Sequence, residues 1–451
     1  MKRMLLCCML IICIILLCVG CQPTPDIPAV VNKNDGKLEE IINTTPEVTP
    51  QETKQTLNIE PWKETYTLPT VVCTIEPEIV LPENNIFPVL KIQQSGFTAD
   101  MANGLLAHFT KDAVGVRETS DTKEELMEKL IIAKKGAYVL DDDGGRWESY
   151  EGQEDDIKRL EDKIKNVPEE TFDKISQESV TFPFKQTYLM ADNSKRYISS
   201  DDSRFMFYDT KSSIVQPESW LLAGEAIPGE PKGTTLKNVK ISEEEATKVM
   251  QDIMDDLGIS DFGIADKSKA RMVNGNTCAI LSEGWLFTLA RTYGNYIPID
   301  FLTYRSGGPV ELLTEDFMPR WWPESITIYV DETGVRSFSW TNRKEITQEV
   351  NANVSILSFE EIKTKIKDSI KLGLSWTEAD KNNSTKSEIL ITKMTLTGVM
   401  VPIKDEPDYQ YILPAWVVFF QKTDDSYVYV FAVNAIDGSS IDLSMRKKEL
   451  D

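Results

Sequence analysis

Residues 4–17 (MLLCCMLIICIILL) form an almost unbroken apolar run, and beyond it the hydrophobic positions settle into two periods. The first period is helical. Met101, Leu105 and Phe109 recur at four-residue spacing. Leu126, Leu130 and Ile131 share one face of the next helix, which Asp121 can cap with Glu124 three residues on. Ile157, Leu160 and Ile164 place a third helix ahead of Pro168. Ser242-Glu243-Glu244-Glu245 reads as a capping box, and its helix carries the stripe Ala246, Val249, Met250, Ile253, Met254 and Leu257. Ser358-Phe359-Glu360-Glu361 reads as another, with Ile362, Ile366 and Ile370 behind it. The second period is extended. Residues 62–92 alternate aliphatics with prolines, which suits edge strands and extended loops. Further strands are predicted near 178–190 and 195–208.

The C-terminal half repeats itself. Each boxed helix is followed by strands that begin at a tryptophan, WLFTLARTYGNY (285–296) and WVVFFQKTDDSY (416–427), with Thr and Tyr at matching offsets. This predicts an α+β protein of antiparallel sheets, each packed by one or more helices, with a duplicated helix-plus-sheet unit in the C-terminal half. The expected organisation is a leader over 1–20, a tether over 21–60, an N-terminal α+β domain over 61–231, and two units over 236–345 and 346–451. The Pro- and Gly-punctuated run 227–235 reads as a linker. Residues 22–60 are rich in Pro, Thr, Asn and Glu, so most of that stretch reads as flexible; about 40 such residues reach roughly 35 Å.

The leader has a grammar of its own. Met1-Lys2-Arg3 is positive, the apolar run follows, and Val19-Gly20 gives a small-residue approach to Cys21. It resembles the bacterial lipobox, in which the cysteine is diacylated and becomes the new N-terminus; Cys18 stands where a leucine is usual. The expected location is the extracytoplasmic face of the cell membrane, held there by a lipid on Cys21.

Charge narrows the partners. With 49 basic and 72 acidic residues the net charge is −23, which repels nucleic acid and anionic headgroups, so no nucleic-acid partner is expected. Five of the seven cysteines lie in the leader or at its end. Cys73 and Cys278 remain, and two separate thiols are expected, with a single bridge as the alternative that geometry decides.

At this point the residues carry a family likeness. Ile-Ser-Glu-Glu-Glu-Ala opening a capped helix, Pro-Ala-Trp entering a strand and Val-Asn-Ala-Ile-Asp-Gly closing one resemble the PepSY superfamily over residues 236–451. Within it the likeness is to the YycH and YycI regulators of the WalK-type sensor kinase. It implies non-catalytic α+β modules that restrain a protease or kinase. YycH and YycI proteins carry a transmembrane helix where this chain has a lipid anchor. The whole chain, with Cys21-Gln22-Pro23-Thr24-Pro25, is also similar to a domain-of-unknown-function family of Firmicutes lipoproteins.

The single histidine, His108, borders an apolar stripe and builds no triad or metal site alone. Ser120-Asp121-Thr122-Lys123 matches Ser-x-x-Lys, but a helix start accounts for it. Asp141-Asp142-Asp143-Gly144-Gly145 lacks the twelfth-position Glu of a calcium loop, Gly152 standing there, and reads as a hairpin turn. Asp380-x-Asn382-x-Ser384 fails the same test. No metal, no cofactor and no enzymatic activity are expected. The surface candidate is Arg320 with Trp321 and Trp322, bracketed by Pro319 and Pro323, because adjacent tryptophans can anchor partner proteins or stack on sugars; the alternative is that one caps the core while the other lies in a crevice. The expectation is a non-enzymatic interaction or regulatory module with an envelope or membrane protein as partner. The alternative is a lipoprotein that binds a small molecule or glycan, motivated by nine tryptophans.

Overall fold

The computed structural model describes residues 42, 57, 59–67, 71–82, 85–141, 144–175, 180–211, 213–218, 221, 234–294, 317–318, 324–375, 387–403, 406–422, 428–441 and 445–446. The leader, Cys21, most of the tether, residues 319–323 and most of the linker lie outside them. In chain order come β1 (Glu64–Thr67), β2 (Val71–Val80), β3 (Val89–Gln94), α1 (Ala99–Phe109), β4 (Ala113–Glu118) and α2 (Lys123–Lys135). Next are β5 (Ala137–Asp141), β6 (Gly144–Glu148), α3 (Gln153–Asn166), β7 (Phe184–Met190), β8 (Lys195–Asp201), β9 (Arg204–Tyr208) and β10 (Ser213–Pro217). Then follow α4 (Glu243–Asp256), β11 (Phe262–Asn274), β12 (Ile280–Arg291), β13 (Phe317–Met318), β14 (Ser325–Asp331), β15 (Gly334–Thr341) and β16 (Lys344–Asn351). The chain continues with α5 (Phe359–Ser375), β17 (Ser387–Ile403), β18 (Glu406–Lys422), β19 (Val428–Asn434), β20 (Ser440–Ile441) and β21 (Met445–Arg446).

The class is mixed α+β. One module occurs three times among the described residues: a helix followed by an antiparallel meander of four strands. In the second and third copies it is α4 with β11-β12-β14-β15 and α5 with β17-β18-β19-β20. Trp285 and Trp416 occupy matching places, each on its meander's second strand opposite a valine of the third, Val330 and Val433. The first copy, α1 with β4-β7-β8-β9, escapes sequence reading because residues 119–183 are inserted between its first two strands. The insertion contributes α2, the β5–β6 hairpin and α3, closed on a small cluster around Leu126, Ala133 and Leu160.

The first two copies join last strand to last strand. β9 pairs antiparallel with β15 from Tyr208↔Ser337 to Arg204↔Thr341. The result is a nine-stranded sheet in the order β10-β11-β12-β14-β15-β9-β8-β7-β4. The helices α1 and α4 share one core on the same face of it. Phe109 of α1 stacks on Phe207 at 4.6 Å and lies 5.3 Å from Phe338 of the second copy. Burial of such a ring contributes about 1.5–3 kcal/mol. The third copy forms the other large sheet, with β2 running parallel to β17 and β3 pairing with both β16 and β18. Both sheets therefore draw strands from more than one of the segments laid out above. β2 is flanked by β1 and β17, so it is interior where edge strands were expected; the register shift opposite Pro77 absorbs its missing N–H.

Local chemistry sets the helix starts. Ser242 Oγ accepts from Glu245 N while Glu245 returns to Ser242 N, and Ser358 and Glu361 do the same. In α2 the box is Thr122 with Glu125, one residue beyond the expected Asp121. Asp121 is drawn instead to Lys129 and Lys211. Ile42, within the stretch read as a tether, is 1% exposed in the core of the third copy, and its carbonyl accepts from Asn351 Nδ2.

The insertion is tied back by Glu170, which pairs with Arg117 at 2.7 Å and with Lys195. Burial opposes the charge of Glu170, but Lys195 and Arg117 outweigh it and hold the carboxyl below the usual range. A depressed folded-state value contributes stability above the unfolded value of about 4.3 and loses it as pH falls through the lower folded value. Hydrogen exchange at Asp173, whose N–H donates to Val116 O at 2.9 Å, is therefore expected to accelerate below about pH 4.3 before the sheet amides do. Glu170→Gln should remove that acid dependence, and an unchanged profile would contradict the tie.

Candidate functional site

Arg320, Trp321 and Trp322 lie outside the described residues, as does Cys21. The roots of the segment that carries the tryptophans are described. β12 ends at Arg291 and β14 begins one residue after Glu324, and these two residues clamp each other. Arg291 Nε donates to Glu324 Oε2 at 2.7 Å and Nη2 donates to Oε1 at 2.9 Å. Trp340 Nε1 donates to the same Oε1 at 3.0 Å. Arg291 also pairs with Asp261, and its guanidinium lies 4.8 Å over the Phe262 ring. Phe97 and Phe262 meet Trp340 edge-on at 5.4 and 5.6 Å and close the apolar wall.

The pair is buried, with side-chain exposures of 2% for Glu324 and 11% for Arg291. Burial opposes the arginine charge, yet the hydrogen bonds and charge of Glu324 prevail and the guanidinium is held more firmly protonated than usual. A bidentate fork of this kind fixes both position and direction. Two residues on, Tyr293 is 1% exposed in the core of the other large sheet, so the same root is held by both cores. Gly294 (φ +63°) then turns the chain beside Pro88, where a Cβ would stand 3.2 Å from the proline ring. β13, on the far side of the segment, pairs with β21 near the C-terminus.

The same root lies close to the junction of the two sheets. The connections β3–α1 and β15–β16 pass side by side there, with Ser95 N donating to Arg343 O at 2.8 Å. The β8–β9 turn seals them, Asp202 O accepting from Phe97 N and Ser203 O from Asn342 N.

The remaining candidates fall into ordinary places. His108 is half-buried on α1, edge-on to Phe109. Cys73 is buried and Cys278 half-buried, and both are free thiols, raised in pKa by burial. Ser120 to Lys123 open α2, and Asp141 and Gly144 pair across the β5–β6 hairpin. Asp380 to Ser384 lie outside the described residues. Among the described residues no three His, Cys, Asp or Glu side chains gather as metal ligands would, and no helix is long and apolar enough to cross a membrane. Sequence reading missed Arg291, Glu324 and Trp340. Glu324 follows Pro323 directly, a hint that the motif ends on a buried group, but its partner stands 33 residues away.

No protein-family model matches the chain, and no curated protein matches it. Among solved structures, an uncharacterized protein from Eubacterium rectale is similar over 90% of this chain and 98% of its own, at 14% identity and a TM-score of 0.39. The Bacillus megaterium YpeB C-terminal domain is similar over 66% of this chain and 98% of its own, at 11% identity and a TM-score of 0.26. Likenesses this distant carry no argument about what the chain does.

Removing one partner of the clamp strands a buried charge. Glu324→Ala is expected to cost about 3–5 kcal/mol in urea unfolding, and Arg291→Met with Glu324→Leu together should cost less than Glu324→Ala alone. Equal losses, or a loss under about 1 kcal/mol as at exposed pairs, would contradict a buried clamp.

Proposed function

We propose that this chain is a non-catalytic interaction module of the cell envelope, held by a lipid on Cys21 and engaging a protein partner through Arg320, Trp321 and Trp322. The observation that supports it is the clamp. Both ends of the tryptophan-bearing segment are fixed by one buried, bidentate ion pair, with Tyr293 inserted in the second core beside it. A recognition segment that departs from a rigid scaffold is a usual arrangement for binding. The PepSY-type, regulatory reading of residues 236–451 is supported by the helix-plus-meander module that recurs at α4 and α5.

Crosslinking in cells, followed by purification from membranes and mass spectrometry, tests the reading. One dominant membrane or wall protein is expected with the natural chain. Recovery should fall at least tenfold for the Trp321→Ala, Trp322→Ala variant at an unchanged unfolding midpoint, and Cys21→Ser should leave the membrane fraction. No partner above background, or equal recovery from the double variant, would overturn it.

A further inference from the structure

The insertion reaches the second copy at the β11–β12 turn. Glu128 of α2 accepts there from Asn274 Nδ2 at 3.4 Å and from Asn276 Nδ2 at 3.3 Å. Asn274 also shapes the turn itself. Its Oδ1 accepts from Asn276 N at 2.8 Å and from Thr277 N at 2.9 Å, and its carbonyl accepts from Cys278 N at 2.7 Å. The side chain is therefore folded over the peptide that joins it to Gly275. Gly275 adds no side chain to shield that peptide and is exposed at the tip, within reach of water.

An asparagine followed by glycine has the parts of an internal acyl transfer. The glycine nitrogen is the nucleophile, the side-chain amide carbon is the electrophile, and ammonia is the leaving group. Negative charge gathers on Oδ1 as the tetrahedral centre forms, so donors aimed at that oxygen lower the barrier. Two backbone N–H groups already point at Asn274 Oδ1, and the turn keeps the reacting groups together. The chain has one other Asn-Gly step, Asn103-Gly104, and it is arranged in the opposite way. It lies inside α1, where the Gly104 N–H belongs to the helical ladder. Asn103 Nδ2 turns back to Ala99 O at 2.8 Å, and its Oδ1 accepts from Val180 N at 3.1 Å. The sequence offers the same dipeptide twice, and the fold prepares only one.

We propose that Asn274 is a self-modification site whose conversion to aspartate or isoaspartate releases α2 from the β11–β12 turn. The bond from Gly275 N to Asn274 Cγ forms and the bond from Cγ to Nδ2 breaks. The amide proton of Gly275 leaves with Nδ2, which departs as ammonia. Water then opens the resulting five-membered imide, its hydroxyl going to one ring carbonyl carbon and its proton to the nitrogen. Opening on the side-chain carbon gives aspartate, and opening on the main-chain carbon gives isoaspartate. Either product presents a carboxylate where Nδ2 donated to Glu128, so a hydrogen bond becomes a like-charge contact. Lys211 still holds the start of α2, through Ser120 O at 2.8 Å and Glu125 Oε2 at 2.6 Å.

Incubation of the purified full-length chain in mildly alkaline buffer, followed by peptide mapping with mass spectrometry, tests the inference. In the folded chain Asn274 should convert at least tenfold faster than Asn103, with isoaspartate among the products and one oxygen taken from labelled water. In concentrated urea the two sites should convert at similar rates, because only the fold distinguishes them. Asn274→Asp should speed hydrogen exchange in α2, and adding Glu128→Gln should slow it again by removing the facing charge. An Asn274 that persists in the folded chain, equal folded-state rates at the two sites, or α2 exchange unchanged in Asn274→Asp would overturn it.

Discussion

The pairing of β9 with β15 is the constraint on which the larger sheet depends. In a helix-plus-meander module the last strand is an edge, with a row of unpaired backbone groups that favours stray association. Joining two modules last strand to last strand removes both edges at once. It also forces α1 and α4 onto one face, where Phe109, Phe205 and Phe338 interleave across the joint. Neither module buries its own aromatic face fully without the other. On the opposite face the register sets Thr327, Ser339, Met206, Ser199 and Lys185 in one row across the joint.

The clamp between Arg291 and Glu324 is a consequence of that architecture. Trp340 on β15 points into the shared core and offers its indole N–H to Glu324, whose second oxygen takes Arg291 Nε. Burying an ion pair sacrifices hydration, and its net contribution to stability is small beside a hydrophobic alternative. What it supplies here is direction, because a forked guanidinium tolerates little rotation about the carboxylate. The two strand ends from which residues 292–323 depart are thereby fixed relative to each other.

Much of the local structure was legible. The boxes at Ser242 and Ser358 and the hairpin after Leu140 are read directly, because each rests on contacts within a few residues. At Asp121 the reading slipped by one position, since Asp and Thr are both good caps and Lys129 and Lys211 decide between them. The first copy of the module was not legible. Its helix is capped by Thr98 without a box, it lacks a tryptophan-led second strand, and the insertion separates β4 from β7. Pairings such as β2 with β17 and β9 with β15 join distant residues through alternating apolar faces, which any such strand displays equally. Arg291 with Glu324 is hidden for the same reason: charged residues are frequent in this chain, and only folding singles out the pair that is buried.

Native-state hydrogen exchange across a denaturant series tests most directly whether the first two copies are one cooperative body. Amides of β8 and β9 in the first copy and of β12 and β14 in the second should exchange through one common opening, with the same free energy and the same denaturant slope. Two separate isotherms, with β9 opening while β15 stays protected, would contradict the shared core.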